Sequence, residues 1–297
     1  MSALDPSAPG LPLAIGGGGA SLPVSDPADL LSGATPERFV VIDDAGEGAL
    51  ITAAQAASLI GGAPVGRRPA LPDFGLLWEC NETTGDFVNT GTLEESGNLT
   101  VVGSGTSRSQ LGPTTVGRGA RFDGTTNGYA KGAEGITPGA GSDVALTMFA
   151  VAVLEAAAGS RKDILSRSFA LAELPAPYVA ATISVISGTT WLAKLGISGT
   201  YVEVTSNIPY VVGRQHIFGV TYDGAYVCLW LDGVLAKREA HPGTISWGSG
   251  TGLWWLGSNP SGGASTSLIA RAGAANVVWD SAEWGEFVQR TNGNWIG

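Results

Sequence analysis

Most of this 297-residue sequence predicts an all-β sandwich of two antiparallel sheets. Three observations predict it. From residue 76 onward, short apolar or alternating runs follow one another with Gly, Asn, Asp and Ser between them. Glycine (45) and proline (16) are abundant enough to turn the chain often, yet fall short of low-complexity composition. The stretch shows almost no helical periodicity. Hydrophobic residues make 44% of the chain and charged ones only 14%, so a large core can form.

The elements follow in order. Residues 1–20 read as an extended arm, because Asp5-Pro6, Pro9-Gly10, Pro12 and the run Gly16–Gly19 suit neither a helix nor a strand interior. It is either a free tail or a docking arm. Residues 21–64 read as a small hairpin-helix module. The β-branched run Arg38–Asp43 turns through Asp44–Gly48 and returns as Ala49–Ile51. Thr52 is a good N-cap for a helix over Ala53–Ile60, which Gly61-Gly62 stops. So small a unit has few large apolar groups, and self-association is the natural remedy. Residues 65–74 form a proline-punctuated linker, and residues 75–297 the sandwich. Its strands are expected at runs such as Leu76–Cys80, Leu99–Val102, Ala145–Leu154, Thr182–Ile186, Tyr201–Val204, His216–Tyr222, Ala225–Leu231, Gly252–Gly257 and Ala274–Trp279.

Two resemblances sharpen this reading. The segment LPVSDPADLLSGATPERFVVIDDAGEGALITAAQAASLIGG resembles a short module found near the N-termini of phage tail fibres, tailspikes and head fibres. That resemblance implies a homotrimer attached through its N-terminal region to other virion proteins, assembled in a host cytoplasm. Four landmarks in the sandwich resemble the laminin-G-like branch of the concanavalin A-like lectin/glucanase superfamily. They are Gly119–Gly124 with Tyr129-Ala130, Ile164–Arg167, the run HIFGVTYDGAYVCLWLDGVLAKRE from His216 to Glu239, and Leu256-Gly257 leading to LIARAGAANVVWDSAEW. The third is the most specific, since both Tyr222-Asp223-Gly224 and Leu231-Asp232-Gly233 suit tight hairpin turns. The implied architecture is a laminin-G/concanavalin-like jelly roll. Two departures stand out. The usual Gly of a late strand is replaced by Ala270 or shifted to Gly273, and the ending Ser281–Trp284 has no clean match.

Strand alternation names candidate contacts. Val227, Leu229 and Leu231 share the core face, so Cys228 and Trp230 point the other way, to a face that bears ligand in many relatives. In Leu253–Leu256 one of Trp254 and Trp255 points inward and the other outward. Sugars stack on indoles through their apolar C–H faces. Trp230 is the first-choice glycan contact, with Trp255 and Trp247 behind it.

Catalysis is not expected. A retaining glycanase needs two carboxylates about 5–5.5 Å apart, and no strand carries the alternating E-x-D-x-E pattern. Glu283 and Glu286 are three apart, and Glu94-Glu95 are adjacent in a loop. There is no GxSxG, P-loop or metal triad. His216 and His241 lack metal-ligand spacing, and Cys80 and Cys228 read as free thiols. Laminin-G relatives often hold calcium. Asp123, Asp143 and Asp223 are the residues that would serve here, but no loop is dense in Asp, so no cofactor is expected. The net charge of −10 repels phosphate backbones, so nucleic acid is not an expected partner. Residues 1–10 lack the pattern of a signal peptide, and no run reaches the length of a membrane span.

The expected function is therefore that of a non-enzymatic virion fibre or spike of a tailed phage, presenting a lectin-like sandwich to host cell-surface polysaccharide. A purely structural capsid or tail decoration protein is the alternative, and a glycan depolymerase is a third.

Overall fold

The structure, a computed structural model, describes residues 74–111, 118–169, 179–248 and 251–291, and the strand backbones 13–14, 38–42 and 48–52. The chain divides into two compact units, Met1–Ala70 and Leu71–Gly297.

In the first unit β2 (Arg38–Ile42) and β3 (Gly48–Thr52) pair antiparallel, from Arg38 opposite Thr52 to Ile42 opposite Gly48. The two-residue β1 (Leu13–Ala14) lies parallel to β2 at the sheet edge. Its position is a correction to the strandless arm, and an edge tolerates such a short strand between prolines and glycines. The helix expected at 53–60 lies outside the described residues.

The second unit is the two-sheet antiparallel sandwich. Its strands are β4 (Leu76–Trp78), β5 (Leu99–Val102), β6 (Thr106–Leu111), β7 (Arg118–Asp123), β8 (Tyr129–Gly132) and β9 (Leu146–Leu154). There follow β10 (Lys162–Ser168), β11 (Val179–Val185), β12 (Trp191–Ile197), β13 (Thr200–Thr205), β14 (Gln215–Tyr222) and β15 (Tyr226–Leu231). The last are β16 (Val234–Ala240), β17 (Trp254–Leu256) and β18 (Thr266–Ala275). One sheet of seven strands runs β13-β12-β11-β10-β17-β8-β5. The other, of eight, runs β16-β15-β14-β9-β18-β7-β6, with β4 paired to β18. Late strands inserted between early ones, as β17 is beside β10 and β18 beside β9, give the crossed connections of a jelly roll.

Two cores result, one on each side of the eight-stranded sheet. In β9, Met148, Ala150, Ala152 and Leu154 enter the main core between the sheets, while Phe149 and Val151 point the opposite way into a second cluster. A strand buried on both faces reads as a continuous apolar run, and this accounts for LTMFAVAVL. The main core contains Trp78 against Trp254, ring centroids 5.9 Å apart, and Trp191 against Phe218 at 5.4 Å.

The second cluster lies under a helix that the all-β reading did not anticipate, α1 (Ser281–Thr291). Its start is a capping box. Asp280 Oδ1 accepts from the backbone N–H groups of Ala282 and Glu283, and Glu283 Oε2 accepts from the N–H of Asp280 at 2.7 Å. Trp284, Phe287 and Thr291 form its buried face. Gly219 on β14 makes the seat, since a Cβ there would lie 2.3 Å from the Trp284 ring. A side chain at that position would lift the helix off the sheet.

The Leu231-Asp232-Gly233 landmark is a clasp as well as a turn. Asp232 adopts φ +52° and Gly233 φ +81°. The Asp232 carboxylate accepts from the backbone N–H of Ile217 and from His216 Nδ1, both at 2.8 Å. His216 Nε2 accepts from the N–H of Val211, which places the imidazole proton on Nδ1. Hence the histidine is structural, locking β14 to the β15–β16 turn. Cys80 is buried and Cys228 half-buried, both as free thiols, and burial pushes both thiols up from their ordinary acidity.

Candidate functional site

The three tryptophans singled out by alternation lie in three different places. Trp230 does point away from the main core, but the expectation of an open face there is corrected. α1 roofs that face, leaving Trp230 8% exposed and stacked on Trp284 with centroids 6.0 Å apart. Its Nε1 donates to Thr221 Oγ1 at 3.0 Å. A sugar cannot stack on a ring already covered by another indole. Trp247 is partly buried at the margin of the main core, 6.3 Å from Trp254. Trp254 points inward, and Trp255 outward, onto the outer face of the seven-stranded sheet.

Along the middle of that face the side chains are buried, Ser166 and Ser184 at 0% and Thr182 at 1% exposure, whereas Tyr129 and Lys131 at its β8 end are half-buried. Within this unit, no described helix or strand packs across the face. Cross-strand register builds a row through Thr100, Lys131, Trp255, Ser166, Thr182, Lys194 and Glu203. Ala130 faces the core, so Tyr129 and Lys131 of β8 both face outward. The Tyr129 ring lies 5.1 Å from that of Trp255, tilted by 44°, and Lys131 Nζ sits 5.1 Å from the Trp255 centroid. Trp255 is 6% exposed and forms the floor beneath these two side chains.

Hydroxyls continue the floor. Thr182 and Ser184 share a hydrogen bond of 3.0 Å, and Ser166 Oγ donates to the carbonyl of Ser258. Asp163 is fully buried and anchors the arrangement. Its carboxylate accepts from Arg161 through Nε and Nη2 at 2.9 and 2.7 Å, from Ser184 Oγ at 2.8 Å and from Asn259 Nδ2 at 2.9 Å. Lys194 pairs with Glu203 at 2.9 Å.

Four indole Nε1 groups are buried without a hydrogen-bond partner, those of Trp247, Trp255, Trp279 and Trp284. Trp279 and Trp284 belong to the closed cluster under α1. Trp255 instead lies on the outer side of the seven-stranded sheet, against Tyr129 and Lys131. An unpaired buried donor is destabilising by about 1–3 kcal/mol.

Among the described residues, the strands of this face do not bring two carboxylates to a glycosidase spacing. The two carboxylates on the strands of this face among the described residues, Asp163 and Glu203, lie on β10 and β13, three strand spacings apart in the sheet order. At ~4.8 Å per spacing their backbones are ~14 Å apart, beyond the separation of either hydrolytic mechanism. Each carboxylate is also held by a cation. Among the described residues no group of three or more His, Cys, Asp or Glu side chains gathers as a metal site. Two of the acids considered for calcium cap their own turns. Asp123 Oδ1 accepts from Thr125, whose hydrogen bonds hold its carboxyl below the usual range, and Asp223 Oδ1 accepts from the N–H groups of Ala225 and Tyr226.

No family model and no curated protein matches the chain. Solved structures do. The receptor-binding domain of botulinum neurotoxin type G superposes with a TM-score of 0.52 and 11% identity, over 74% of this chain and 51% of that one. The binding domain of Paraclostridial Mosquitocidal Protein 1 gives 0.53 and 8%, over 73% and 52%. Domain 4 of AbnA, an extracellular GH43 arabinanase from Geobacillus stearothermophilus solved with arabinotriose, gives 0.54 and 12%, over 73% and 98%. The chain thus spans about half of the toxin binding domains and nearly all of the arabinanase domain. At such identities the likeness shows architecture. The second unit is a jelly-roll β-sandwich, the fold class expected from the sequence.

Proposed function

We propose that this sandwich is a carbohydrate-binding unit that takes host-surface polysaccharide on the outer face of its seven-stranded sheet, at Tyr129 and Trp255. In the same reading the N-terminal unit gathers three chains and anchors them to the virion of a tailed phage. The observation that carries the binding site is the half-buried Tyr129 ring packed on Trp255, whose indole N–H has no partner, at the β8 end of the seven-stranded sheet. Aromatic faces accept the C–H side of a sugar ring, and the exposed Thr100 hydroxyl beside Lys131 suits its polar edge. The arabinotriose-bound arabinanase domain shares the fold and supports this reading by analogy. The virion context rests on the likeness of residues 21–64 to phage fibre modules.

Tyr129→Ala and Trp255→Ala are each expected to weaken binding of the full-length protein to host envelope polysaccharide by about tenfold or more. Retention on envelope fractions measures this, and Tyr129, half-buried at the surface, is the variant least coupled to folding. A folded Tyr129→Ala protein that binds as before moves the site elsewhere. No binding by the unmodified protein to any envelope fraction favours the structural-decoration role.

Light scattering tests the assembly. The full chain is expected as a trimer at micromolar concentration, and removal of residues 1–70 is expected to leave monomers. A full chain that is monomeric ends the trimer reading, and trimers that survive the deletion put the interface in the sandwich.

A further inference from the structure

Among the described residues, the cations of the candidate face divide into those with an acidic partner and one without. Lys194 is paired with Glu203, and Arg161 with Asp163. Lys131 forms no ion pair among the described residues, although the chain carries only 16 basic residues against 26 acidic ones. Its ammonium lies over aromatic rings, 5.1 Å from the Trp255 centroid and 5.9 Å from that of Tyr129. In register it stands between Thr100 and Trp255. Asp86 approaches from the Thr100 side, but its Oδ2 accepts from the Thr100 hydroxyl at 3.1 Å. Lys131 therefore occupies the space above the indole that a sugar ring would enter, tethered by a flexible stem that can swing aside.

Two donors lie on the same indole here, the Lys131 ammonium and the Trp255 Nε1–H, and neither has an acceptor among the described residues. Resting an ammonium on an aromatic face gains about 0.5–1 kcal/mol at an exposed site. A ligand that displaces it must offer at least that much in return. A neutral sugar offers only hydroxyls, whereas an acidic sugar offers the ammonium a counter-ion as it vacates the ring. The overall charge of −10 opposes long, dense polyanions. Its reach is limited to about 8 Å at physiological ionic strength, so a single close ion pair still governs selection among sugars.

We propose that the polysaccharide bound at Tyr129 and Trp255 is an acidic one, read by pairing of its carboxylate with Lys131. The proposal rests on the glycan-binding reading above and adds the charge class of the ligand. A phosphate or sulfate substituent presents the same anionic oxygens, so the source of the anion is left to the test.

The test uses the full-length chain and polymer pairs that differ only in charge: polygalacturonate and its methyl ester, and alginate and hyaluronate with their carboxyl-reduced forms. Dextran and dextran sulfate form a further arm, and a phosphorylated mannan another. At low salt the protein is expected to prefer at least one acid form over its neutralised partner by roughly three- to tenfold. That preference should collapse toward unity in Lys131→Gln, survive in Lys131→Arg, and fade in 0.5 M NaCl, where the screening length shrinks to roughly 4 Å. Preference for sulfated or phosphorylated polymers alone, lost in Lys131→Gln, assigns the anion but overturns the carboxylate. A preference for acid that survives Lys131→Gln, or binding of no acidic polymer, overturns the proposal. Equal binding of acid and neutral forms that disappears in Tyr129→Ala overturns the acidic preference and leaves the glycan-binding face standing. Neutral and acidic binding that both survive Tyr129→Ala defeats the face itself.

Discussion

Trp284→Ala is expected to destabilise the sandwich by about 3–5 kcal/mol, the range for removing a fully buried aromatic side chain. For a unit of this size that corresponds to a fall in Tm of roughly 6–20 °C. The indole is the keystone of α1. It sits on Gly219, stacks with Trp230 at 6.0 Å, and meets Trp279 edge-on at 4.8 Å. Its removal empties the centre of a cluster that also contains Phe74, Phe149 and Phe287. Trp230→Ala is expected to lose a similar amount, and the double variant less than the sum, because each ring is the other's contact. Calorimetry on the four proteins measures all three effects. A Trp284→Ala protein that melts within a degree or two of the parent would mean that α1 is not docked in solution.

Asp163→Ala is the second large effect, expected at about 3–5 kcal/mol as the loss of one partner of a buried ion pair. The substitution strands four donors at once, two from Arg161 and one each from Ser184 and Asn259. Asp163→Asn keeps one acceptor oxygen and should lose less. A shifted urea midpoint with an unchanged slope is the expected signature, because the fold stays two-state while its stability drops. A loss below about 1 kcal/mol for Asp163→Ala would show that water satisfies these donors, the ordinary outcome at an exposed site. Asn259 and Arg161 are drawn in from outside β10 and β11. The carboxylate is thus a staple between the sheet and its connecting loops.

The sandwich was legible because its signals are local. Alternation placed Val227, Leu229 and Leu231 in one core and turned Trp230 away from it, as the structure does. Alternation fixes a direction but not what lies there, and the cover over Trp230 comes from a segment about 50 residues later in the chain. A local signal for that cover was present. Asp280-Ser281-Ala282-Glu283 is a capping-box pattern, and Trp284, Phe287, Val288 and Thr291 follow at helical spacing. Strand runs on either side outweighed it. The candidate face was less legible for a different reason. Tyr129 and Lys131 share a face by spacing alone, but their neighbours Trp255, Ser166 and Thr182 come from strands brought alongside by crossovers. Register between distant strands is a property of the whole fold.

β4 is the first strand of the sandwich and β18 its last, and the two are hydrogen-bonded neighbours, Leu76 opposite Ala274 and Trp78 opposite Ala272. Phe74, just before β4, lies 5.2 Å from Trp279 and 6.3 Å from Phe287 of α1. The first and last elements described in the unit therefore lie side by side. A module wired in this way behaves as a cassette. It can be inserted into a loop of another protein, exchanged for a different sandwich, or threaded in tandem, with little change in the path of the flanking chain. Diversification of the sandwich can then proceed by swapping whole units as readily as by point substitution.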